Sequence, residues 1–80
     1  MTLYEYNVLD LTQRADYLWA NGTLVVSGSD GIAAFSFYHL GDFFVEVVYD
    51  QEFNTIVSLV PFKTGPRYER MVEVMELPSP

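Results

Sequence analysis

The sequence predicts an α+β domain in which a helix, four strands in an antiparallel meander and a short closing helix follow in the order α-β-β-β-β-α. Three observations predict it. Leu11, Ala15 and Leu18 recur at helical spacing behind an Asp10/Gln13 capping pair. The stretch from Thr23 to Phe62 is rich in β-branched and aromatic residues and is broken only by short turn clusters. After Pro66, a favoured first residue of a helix, Tyr68, Met71, Val72 and Met75 return to helical spacing.

Taken in order, residues 1–9 are ambiguous. Thr2 and Glu5 fit a capping box, while the Tyr and Val content also suits a strand. A helix is expected over 11–20, stopped by Asn21-Gly22. Strands are expected over 23–27, 32–40, 43–50 and 55–62. They are joined by the Gly28–Gly31 cluster, by Gly41-Asp42 and by the four-residue loop 51–54. Connections this short enforce antiparallel neighbours. Pro61 lacks a ladder donor, so its strand is expected to lie at an edge or to end there. The closing helix starts at Pro66, and Pro78–Pro80 forms a tail. With no repeat or linker, the chain reads as one domain over 1–80.

If Gly41 and Asp42 are the two turn residues, Leu40 faces Phe43, Tyr38 faces Val45 and Ser36 faces Val47. Across the 51–54 loop, Tyr49 faces Ile56, Val45 faces Val60 and Phe43 faces Phe62. Alternation then sorts the side chains onto two faces. The first carries Leu40, Phe43, Val45, Val47, Ile56, Ser58, Val60 and Phe62, and is the face for the helices to cover. The second carries Phe35, Phe37, Phe44, Val48, Val57 and Leu59 beside His39 and Glu46, and is expected to stay open as an apolar interface. Glu46 and His39, diagonal neighbours on that face, form a possible polar anchor or acid–base pair. The plainer reading of Glu46 is a solvated charge that interrupts an aggregation-prone strand. Trp19, just off the helical stripe, reads as core or core rim.

Composition removes whole classes of function. Four Lys and Arg against eleven Asp and Glu leave a net charge of −7, which disfavours nucleic acid and anionic membrane as partners. The absence of cysteine excludes disulfides, thiolate metal sites and cysteine nucleophiles. No signal peptide or membrane-length apolar run is present, so a cytoplasmic protein is expected. His39 stands alone as a metal ligand, the turn carboxylates serve backbone roles, and Gly28–Gly31 lacks the Lys of a phosphate loop. A Ser–His–Asp triad fails because Ser36 and Ser58 project away from His39 in this register. Hence no cofactor, metal or catalytic residue is expected.

Arg14-Ala15, Leu18-Trp19-Ala20-Asn21-Gly22-Thr23, the block Gly41–Val47 with Tyr49-Asp50, and Ile56-Val57 before Phe62 carry a likeness over 11–77. In these the chain resembles a family of short bacterial α+β proteins of unassigned function. The resemblance implies a small helix-plus-meander domain and no site residue. The functional expectation is a non-enzymatic protein–protein interaction domain, a homodimer or the partner of a larger protein, using the second face. The alternative is an acidic inhibitor or immunity-type protein that binds a basic enzyme.

Overall fold

Thr2 opens the first helix. Its Oγ1 accepts from the Glu5 N–H (3.2 Å) while Glu5 accepts from the Thr2 N–H (2.8 Å). That second bond holds the Glu5 carboxyl below its ordinary value. This reciprocal cap settles the ambiguous start as helix α1, Leu3–Asn7. Asp10 and Gln13 make the same box for α2, Leu11–Asn21, one residue longer than expected. Four antiparallel strands follow in the spatial order of the chain: β1 Thr23–Asp30, β2 Ala33–Leu40, β3 Phe43–Asp50 and β4 Thr55–Phe62. Helix α3, Pro66–Glu76, closes the α+β order. The computed structural model describes residues 1–76, and the expected 78–80 tail lies outside them.

The first hairpin corrects the expected strand bounds. Gly28, Ser29 and Asp30 belong to β1, and only Gly31 and Ile32 turn. Gly28 marks a close approach: a Cβ there would lie 2.8 Å from Cζ of Phe35, its register partner. The glycine makes room for a ring across the ladder instead of ending the strand.

The β2–β3 register is the expected one, with Leu40 facing Phe43, Tyr38 facing Val45 and Ser36 facing Val47. The β3–β4 register departs from alternation. Tyr49 faces Ile56, but Val48 faces Ser58, so Val57 is an extra residue in a bulge. Every later pair slips by one: Val45 faces Pro61 and Phe44 faces Phe62. Leu59 therefore moves to the first face, and Ser58, Val60 and Phe62 move to the second. A similar irregularity at Val25 separates Leu24, facing Tyr38, from Val26, facing Phe37.

Helices cover both faces, not one. Tyr6 of α1 and Leu18 of α2 pack with Leu40, Phe43, Val45, Val47 and Leu59 on the first face. Met71 of α3 packs with Phe37 and Phe62 on the second, flanked by Phe35, Phe44 and Val26. The physical reason is that both faces are apolar, and each must be removed from water.

Tyr6 anchors the first layer. It is fully buried, its hydroxyl donates to the Arg14 carbonyl oxygen (2.8 Å), and its ring lies against Phe43. Burial pushes the phenol from the ordinary 10 up to about 12, with nearby Arg14 opposing weakly. The protonated phenol is thus favoured by the fold. Its stabilisation is complete below pH 10 and is lost as pH rises toward about 12. Urea midpoints measured at alkaline pH should fall through that window, and Tyr6→Phe should flatten the fall. An equal fall in the variant would place the titrating group elsewhere.

Candidate functional site

The second face is where the sequence placed an interface, and α3 occupies it. Phe37 is fully buried there, its ring meeting Phe35 (5.9 Å between centroids) and Phe62 (6.0 Å) edge-on. Phe44 stacks on Phe62 (5.7 Å) and meets Tyr68 of α3. Phe35 lies 4.4 Å beneath the guanidinium of Arg70. Of the other expected interface residues, Leu59 is buried on the opposite face, Val48 is half-buried, and Val57 is exposed in its bulge. Phe35, Phe37, Phe44, Val48, Val57 and Leu59 therefore do not form one open patch. A bulge moved Leu59 to the other face, and α3 covers Phe35, Phe37 and Phe44.

Glu46 is not a solvated gatekeeper. It is buried and pairs with Arg67 Nε (3.3 Å) and Arg70 Nη1 (3.8 Å), one turn apart on α3. His39, its expected partner, instead lies against the Phe44 ring (5.2 Å). What the arrangement can do is clamp α3 to the sheet, because a buried carboxylate requires charged partners and α3 supplies both. The spacing of Arg67 and Arg70 was visible in the sequence as polar helix positions. Nothing in the sequence showed which face that helix would meet.

The cations are spent on the fold. Arg14 donates through Nη1 to the Leu59 carbonyl oxygen (2.8 Å) and through Nη2 to the Asn7 carbonyl. Lys63 pairs with Asp42 (3.1 Å), and the other two arginines hold Glu46. Among the described residues no group of three or more His, Asp or Glu side chains could hold a metal ion, and no helix is long and apolar enough to cross a membrane.

One apolar strip that stays open lies along β1. Trp19, 51% exposed at the end of α2, meets the Tyr38 ring edge-on at 5.6 Å. Tyr38 faces Leu24, which is 52% exposed. These three make a continuous apolar strip on the first face, beside the sheet edge. The signal for Trp19 was its place off the Leu11/Ala15/Leu18 stripe. Leu24 gave none, because its neighbours in space were unknown.

No family model matches the chain, and neither does a curated protein or a solved structure.

Proposed function

We propose that this protein is a small, non-enzymatic interaction domain that associates with itself. The carrying observation is the Trp19–Tyr38–Leu24 strip, which leaves a Trp and a Leu about half exposed in a small domain that can spare few large apolar side chains from its cores. Large aromatic residues of this kind act as anchors in interfaces. The groups best suited to acid–base work are otherwise used, since Glu46 is held between two arginines and His39 lies on Phe44.

Light scattering across a concentration range tests the reading. The wild type should run as a dimer, and Trp19→Ala combined with Leu24→Lys should raise its dissociation constant about tenfold or more while the circular dichroism stays native. A wild type that stays monomeric overturns the reading.

The second reading, an acidic inhibitor of a basic enzyme, is favoured by one observation. The turn end carries Asp30, Asp50 and Glu52 beside the exposed Ile32 and Phe53, while all four cations are engaged elsewhere. Its binding would weaken steeply with salt, whereas pairing through the apolar strip would change little.

A further inference from the structure

We infer that a second copy of this chain pairs antiparallel along β1, joining two four-stranded sheets into one eight-stranded sheet with its two-fold axis at Ser27. The inference rests on the self-associating reading and names its interface.

The two edges of the sheet are treated differently. On β4 the Leu59 carbonyl turns outward and accepts from Arg14 Nη1, and Pro61, two residues on and facing the same way, has no donor to offer. That edge is closed to a further strand. Among the described residues, β1 makes no backbone hydrogen bond outside its ladder with β2. Its outward N–H and C=O groups face water along eight residues, and only the last, Asp30, is charged. Long, uncharged open edges are what natural sheets otherwise avoid.

Size and charge select a second copy as the occupant. On the first face one half of β1 is large, with Leu24 beside Tyr38 and Trp19. The other half is small, with Ser27 and Ser29 backed by their register partners Ser36 and Ala34. A two-fold axis lays the large half of each copy over the small half of the other. With Ser27 opposite itself, Val26 meets Gly28 of the second copy. Because Val25 is the extra residue of the bulge, Leu24 then meets Ser29 and Thr23 meets Asp30. Side chains keep to their faces throughout. The two Asp30 carboxylates end about 20 Å apart, six strand steps, well beyond the Debye length of about 8 Å at physiological salt.

The chain contains no cysteine, so single thiols report the pairing cleanly. Directly opposed antiparallel residues have Cα atoms about 4.5–5.5 Å apart, within disulfide reach. Under mild oxidation Ser27→Cys should cross-link at least about tenfold faster than Ser29→Cys alone or Thr12→Cys on the exposed surface of α2. A mixture of Leu24→Cys and Ser29→Cys should give the cross-linked heterodimer. If the wild type is a dimer by light scattering but Ser27→Cys cross-links no faster than Thr12→Cys, β1 pairing is wrong and self-association stands. If the wild type is a monomer at every concentration, both fall.

Discussion

Replacing Phe37 by alanine should lower stability by about 3–5 kcal/mol, the range for removing a buried aromatic side chain. Phe37 has no exposed surface and sits between Phe35, Phe62 and Met71 of α3. The sheet on one side and a helix on the other leave little room for the cavity to collapse. An 80-residue domain holds about 4–12 kcal/mol in total, so a large share of its stability is at stake. Thermal melts by circular dichroism should fall by more than about 12 °C. Val57→Ala, which alternation placed on the same face, should change stability by less than about 0.5 kcal/mol because Val57 stands exposed in its bulge. Equal effects at the two positions would mean that α3 does not cover the second face. A lysine at position 37, suited to an open interface, would bury an ammonium group here and report unfolding in place of association.

The clamp on α3 makes the second large prediction, and it is asymmetric. Arg67→Ala with Arg70→Ala leaves the Glu46 carboxylate buried without a charged partner, and should cost about 2–3 kcal/mol. Glu46→Gln should cost less, because the arginines it releases are half exposed and return to water. Hydrogen exchange over 66–76 should rise most in the double arginine variant, since that variant removes both of the charged contacts that hold α3 to Glu46. A Glu46→Gln loss larger than the double variant's would show that the buried carboxylate is not the group at risk.

How much of this was legible follows from the range of each signal. The Thr2/Glu5 and Asp10/Gln13 boxes act over three residues, so both helix starts are legible, although the Tyr and Val content of residues 1–9 also suits a strand. The Gly41-Asp42 turn set the β2–β3 register correctly because two turn residues leave no freedom. The four-residue 51–54 loop set its own register as expected, with Tyr49 facing Ile56, and the bulge follows two residues into β4, where no turn chemistry announces it. That single extra residue, Val57, sent Leu59 to one core and Phe62 to the other. The candidate site failed at that point, and failed again where α3 settled on the face meant to stay open.

Alternation, capping and turn chemistry are local. By themselves they determined the α+β order, the strand count, the antiparallel meander and the apolar character of both sheet faces. Which face each helix covers, where Glu46 finds Arg67 and Arg70, and which edge is left open are contacts between distant segments. Arg14 reaching Leu59 spans 45 positions, and no local pattern encodes it. Those choices follow from burying two apolar faces at once with three helices, a packing balance that exists only once the sheet has formed.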